Sequence, residues 1–194
     1  IAYKDDPDII TIEINNEPGH KDAELTRAYL ATMIKAIRSG GCKKPIFYNM
    51  SHNFHVTDEF LNADLQGGTF QWYPSGLVAN HEQQGNFLPN IDSYPISFSD
   101  HKKFRSKAKM VYEFDPADLG RSYTYPVMAR SFREAGFQFA TQFAYDPIYM
   151  ANVNTEYQTH YMNLAYAPQK GLRLMLASEV FHQIPLNEDQ GAYP

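Results

Sequence analysis

The chain has 194 residues, with 17 Lys and Arg against 22 Asp and Glu and a formal net charge of −5 at neutral pH; that balance argues against nucleic acid or an anionic membrane surface as partner. No apolar run approaches the roughly 18 residues of a membrane span, and Cys42 stands alone, so there is neither a disulfide framework nor a zinc pattern. Fourteen Tyr, thirteen Phe and one Trp offer ring faces that stack on sugars as readily as they fill a core.

Ile9, Ile10, Ile12 and Ile14 form a nearly continuous apolar run, as a strand buried on both faces requires. The run stops at Asn15, Asn16 and Glu17, and Pro18 then removes a backbone donor. A buried strand has little use for a polar pair at its end unless that end opens into a site. The pattern is that of a barrel strand delivering a carboxylic acid to the C-terminal rim, where barrel enzymes keep their chemistry.

His20 to Ser39 reads as a helix, with Leu25, Ala28, Tyr29, Thr32, Met33, Ala36 and Ile37 at helical spacing and Gly40-Gly41 as its stop. Pro45 to Met50 is the next strand, and the loop after it carries Ser51, His52, Asn53 and His55. A long helix between two apolar strands is the unit of a parallel sheet. Thr57 is expected to cap a short helix reaching Leu61. Leu65 to Tyr73 reads as a weaker strand, loosened by Gly67 and Gly68.

Pro74 to Asp100 lacks periodicity and is rich in Gly, Asn, Pro and Ser, which suggests a long loop over the rim that shapes substrate subsites. Ser99 to Ser106, with His101, Lys102, Lys103 and Arg105, reads as a solvated helical face. Lys109 to Asp115 is a second strand that ends in a glutamate, Glu113, closed by Pro116; Asp115 is expected to cap the following turn. Tyr125 to Ala135 is a helix ended by Gly136, and Phe137 to Phe143 the last strand. Thr155 to Phe181 reads as mostly helical and broken at Pro168, with Leu172, Leu174, Met175, Leu176, Val180 and Phe181 packing on a barrel exterior.

Two strand-end glutamates from one parallel sheet can converge across its mouth. Glycoside hydrolysis needs such a pair, one carboxyl donating a proton to the leaving oxygen and the other acting as nucleophile or base. His52 and His55, with Asp58 beyond, have a spacing that suits a metal only on a helix. They sit in a loop without an obvious third ligand, so no metal site is expected and His52 is read as a substrate contact. Ser51 lacks flanking glycines and so does not form a nucleophile elbow.

The run Asp8-Ile9-Ile10 followed by Asn16-Glu17-Pro18 resembles the fourth strand of clan A glycoside hydrolases, retaining enzymes on a (β/α)8 barrel. On that resemblance Glu17 is the acid/base and Asn16 its neighbouring substrate ligand. Glu113, in Val111-Tyr112-Glu113-Phe114, stands where the clan carries its nucleophile, on the seventh strand. Gln71-Trp72-Tyr73 resembles the sixth-strand element, whose Tyr hydrogen-bonds the nucleophile, although many members have His where this chain has Gln71. On the eighth strand, where a Trp often floors the sugar subsite, Phe143 and Tyr145 are the available rings.

The resemblance spans roughly Ile9 to Phe143 and implies an α/β fold, an incomplete (β/α)8 barrel holding about strands 4 to 8 in residues 1–186, with 187–194 as a linker or the start of a following domain. A complete barrel typically needs about 250 residues, so the N-terminal half is expected from the same parent chain. The implied activity is double displacement on the β-glycosidic bonds of a neutral, β-glucan-like poly- or oligosaccharide, without a cofactor, by an endo-acting enzyme. An extracellular or periplasmic location follows from the family only. A non-catalytic carbohydrate-binding barrel is the alternative.

Overall fold

The computed structural model describes residues 2–52, 54–76, 85–116, 123–150, 162–165 and 167–192. Five strands, β1 (Ile12–Glu13), β2 (Ile46–Ser51), β3 (Gly67–Trp72), β4 (Ala108–Phe114) and β5 (Phe139–Gln142), form one sheet in sequence order. The β1–β2 and β2–β3 pairings are parallel. The helices α1 (Ala23–Ser39), α2 (Thr57–Asn62), α3 (Leu88–Ile91), α4 (Lys102–Arg105), α5 (Thr124–Glu134) and α6 (Pro168–Gln183) intervene or follow. The chain divides into two compact units, residues 1–70 with 97–110, and residues 71–96 with 111–194. Among the described residues no helix is long and apolar enough to cross a membrane.

In the first unit β1 is shorter than its apolar run. Its ladder comprises Ile12 N–H to the Pro45 carbonyl (2.9 Å) and Ile14 N–H to the Phe47 carbonyl (3.1 Å). Ile10 is 67% exposed, which corrects the expectation of a strand buried on both faces. Among the described residues β1 pairs only with β2, and the chain before it turns back so that Lys44 Nζ takes the Asp6 and Ile9 carbonyls at 2.6 and 2.5 Å. Helix α1 starts where Asp22 accepts from the Leu25 N–H (2.8 Å) and ends before Gly41 at φ +79°. Its buried stripe is Thr26, Leu30 and Ile34, with Leu25 exposed, so the inward face is rotated from the one expected. Thr26 tolerates burial because its hydroxyl donates to the Asp22 carbonyl.

Every residue of β2 and β3 is buried. Gly67 does not loosen β3: a Cβ there would lie 2.4 Å from the Phe47 ring and 2.6 Å from the Ala108 carbonyl oxygen, so only glycine fits. Thr57 does not cap α2. It lies inside the helix and its hydroxyl donates to the Phe54 carbonyl (2.7 Å). His101, Lys102, Lys103 and Arg105 are exposed, as expected of a solvated face, while Phe104 on the opposite side is buried edge to face with Phe98 and Phe70 at 4.7 and 5.8 Å between ring centres, under the Lys109 ammonium.

In the second unit the segment expected as a rim loop contributes core. Residues 77–84 of it lie outside the described ones, but α3 forms, Ile91, Tyr94 and Ile96 are buried, and the Tyr94 hydroxyl donates to the Gln71 carbonyl (2.6 Å). Phe114, Phe132 and Phe137 complete the aromatic cluster. Pro168 opens α6 rather than breaking a helix, since the first turn has no use for its missing N–H; the part expected to be helical from Thr155 to residue 161 lies outside the described residues. Leu172, Met175 and Leu176, expected to be packed, are at least half exposed. Leu172 and Met175, with Phe139, Tyr145 and Phe181, line an apolar hollow of about 880 Å³ between β5 and α6.

Candidate functional site

Each unit brings one glutamate out of a strand. In the first unit, Glu17 follows β1 with its backbone at φ +42°, a left-handed conformation that costs a non-glycine residue. Asn16 and Glu17 are both exposed. Below them Asn15 Nδ2 donates to the Asn49 carbonyl at 3.3 Å, and the Tyr29 hydroxyl takes the Ile14 carbonyl at 3.0 Å, which holds the strand end in place. His20 Nδ1 meets the Tyr48 hydroxyl at 2.8 Å. Burial lowers the His20 pKa below its ordinary value and, with Tyr29 nearby, raises the Tyr48 phenol to about 12, so both are neutral at pH 7. Ser51, again left-handed at φ +51°, lies with its hydroxyl 3.0 Å from His52 Nδ1. A hollow of about 310 Å³ is lined by Glu17, Lys21, Asn49, Ser51, His52 and His55. His52, read as a substrate contact, lines the same hollow as Glu17, together with Lys21, Asn49 and His55. Asn53 lies outside the described residues.

In the second unit, Glu113 is half-buried near the end of β4, and the Tyr73 hydroxyl hydrogen-bonds it. Burial, and then the negative charge of Glu113, push the Tyr73 phenol far above its ordinary value, so it remains a proton donor to the carboxylate. Two residues on stands Asp115; the turn it was expected to cap, from residue 117, lies outside the described residues. Asp115 is wholly buried, its Oδ2 3.3 Å from the equally buried Lys170 Nζ. Its Oδ1 accepts from the Tyr125 hydroxyl and from Gln142 Nε2 (3.2 Å), and its N–H donates to the Trp72 carbonyl.

The other expected ligands are placed differently. Trp72 is 7% exposed, with its ring 4.7 Å from Tyr94 and 5.4 Å from Phe132; it belongs to the core and is not a rim platform. Gln71 is buried. Phe143 is half-buried and its N–H donates to the Phe114 carbonyl at 3.0 Å. Tyr145 is exposed and borders the apolar hollow beside α6. The Asp115 cluster was not found from the sequence, because a lysine near a helix start normally reads as solvated.

No family model and no curated protein matches the chain. Among solved structures it is similar to the endo-1,4-beta-mannanase from Rhizomucor miehei, with a TM-score of 0.58 and 16% identity over 92% of this chain. The match spans 56% of the length of that enzyme. The expected fold is thereby shown: an α/β chain with the architecture of an incomplete (β/α)8 barrel.

Proposed function

We propose that the protein is a retaining glycoside hydrolase acting on a neutral β-linked poly- or oligosaccharide, with Glu113 as nucleophile and Glu17 as general acid/base. The observation that carries this reading is the Tyr73 hydroxyl on the Glu113 carboxylate at the end of β4. A phenol that stays protonated fixes the orientation of the carboxylate and leaves its second oxygen for attack. Glu113 displaces the leaving oxygen at the anomeric carbon while Glu17 gives that oxygen its proton. Water then cleaves the glycosyl-enzyme bond, losing its proton to Glu17 and releasing Glu113. Asn16, beside Glu17, holds the 2-hydroxyl, and His52 contacts a further hydroxyl.

The likeness to an endo-1,4-beta-mannanase supports β-1,4-linked hexose chains as substrates, cleaved internally; an extracellular or periplasmic location is proposed on the family resemblance. The exposed face of β5 and the open flank of β1 support a further proposal, that strands of the same parent chain beyond these residues complete the sheet. No cofactor is invoked, since side chains supply both the proton and the nucleophile. The test is chemical rescue in the full-length enzyme. Glu113→Ala should lose turnover, and azide should restore it with a glycosyl azide of inverted configuration as product. Turnover retained by Glu113→Ala would remove Glu113 from the mechanism.

A further inference from the structure

Lys102, Lys103, Arg105, Lys107 and Lys109 follow one another closely in a chain of net charge −5, and no Asp or Glu stands between Asp100 and Glu113. All five belong to the first unit. Three of them have acceptors there. Lys103 Nζ donates to Asn62 Oδ1, Lys107 Nζ to the Leu65 carbonyl at 2.7 Å, and Arg105 Nη2 to Asp100 Oδ1 at 2.7 Å.

Lys109 is different. It is 5% exposed, a burial that lysine rarely tolerates unless it is paired. Its ammonium lies 4.9 Å from the centre of the Phe104 ring, and among the described residues its N–H donors have no acceptor. Burial, and then the charge of Arg105, lower its pKa, and no carboxylate acts against them. Arg105 spends one of its five donors on Asp100 and is largely exposed. If packing alone were served, an apolar side chain of similar volume would fill the place of Lys109 without a charge.

Two neighbouring cations with spare donors, one buried and one at the surface, are complementary to an oxyanion. Its charge relieves their repulsion, and its oxygens accept the hydrogen bonds that the protein leaves unmade. A cation would add to the repulsion, and a neutral polyol would leave both charges uncompensated.

We propose that Lys109 and Arg105 form a binding site for a small oxyanion, a carboxylate or a phosphate, at the start of β4. The test is thermal unfolding of the full-length protein at constant ionic strength, with chloride replaced stepwise by inorganic phosphate or by acetate. The wild type should show a saturable rise in melting temperature, and the anion that acts at the lower concentration identifies the preferred group. Lys109→Met should weaken the apparent affinity about tenfold or more, the loss of a hydrogen bond between charged groups. Its melting temperature in chloride should hold or rise, because an unpaired buried charge has been removed. Arg105→Gln, a surface change, should weaken the affinity as well, and it tests the site even if Lys109→Met fails to fold. A wild type that responds to neither anion beyond chloride would overturn the assignment. So would a response undiminished in either variant, because the anion would then be held elsewhere.

Discussion

Lys170 Nζ lies 3.3 Å from Asp115 Oδ2 with both side chains wholly buried, two residues beyond Glu113. Burying two charges is expensive, and only close pairing with further hydrogen bonds offsets it. Tyr125 and Gln142 supply those bonds, so Asp115 links the end of β4 to α5, β5 and α6. Lys170→Met leaves a buried carboxylate uncompensated and should cost about 3–5 kcal/mol of folding stability. Adding Asp115→Asn should recover part of that loss. Chemical denaturation of the two variants checks both statements; equal stability of Lys170→Met and wild type would show that the pair is not buried as described.

Tyr73→Phe deletes one oxygen from a buried site and leaves the ring. A hydrogen bond to a charged group contributes about 1.5–3 kcal/mol, so kcat/KM should fall roughly 10- to 150-fold. The fall should appear in kcat more than in KM if the bond serves the proposed nucleophile and not the substrate. Steady-state kinetics on an activated aryl glycoside gives the answer.

Among the described residues, Tyr48, Tyr73 and Tyr94 should make the fold less stable at alkaline pH. Burial is the first cause in each case, raising Tyr48 to about 12 and Tyr73 and Tyr94 further. A raised folded pKa favours the fold fully below the unfolded value of about 10. Above that pH the unfolded chain loses protons that the folded one keeps, so stability should decline from pH 10 upward. Tyr94→Phe should lower stability at pH 7 by about 1 kcal/mol, through loss of the bond to Gln71, yet flatten the decline above pH 10. Melting curves across pH 7–11 decide this.

Gly67→Ala should destabilise by about 1–3 kcal/mol through overpacking, because the new methyl would meet both the Phe47 ring and the Ala108 carbonyl. An unchanged denaturation midpoint would mean that β2 and β4 yield more easily than their packing indicates.

Much of the fold was legible where a strand is a largely apolar run bounded by turn residues, as at Ile46–Ser51 and Ala108–Phe114. Trp72 was misread although the sequence held the correction. Side chains alternate along a strand, so if Tyr73 turns toward Glu113, Trp72 must turn away from it, toward the core formed with Tyr94 and Phe132. The ion pair of Asp115 and Lys170 was not legible, because 55 residues separate the partners and nothing local marks either as buried. The orphaned amide of Asn49 is likewise a tertiary fact, since only the packed structure shows that it lacks a partner. The placement of Glu17 after β1 and of Glu113 near the end of β4 was readable because a carboxylate that closes an apolar run before a proline is a local anomaly; their roles are proposed.

The identity of the nucleophile is tested most directly by trapping the intermediate. A 2-deoxy-2-fluoro glycoside with a good leaving group should inactivate the full-length enzyme. Peptide mass mapping should then find one fluorosugar on Glu113, with Glu17→Ala slowed in turnover far more for sugar leaving groups than for activated phenols. A label on another residue, or a first-formed product of inverted configuration with no label at all, would contradict the assignment of Glu113 and the double displacement built on it.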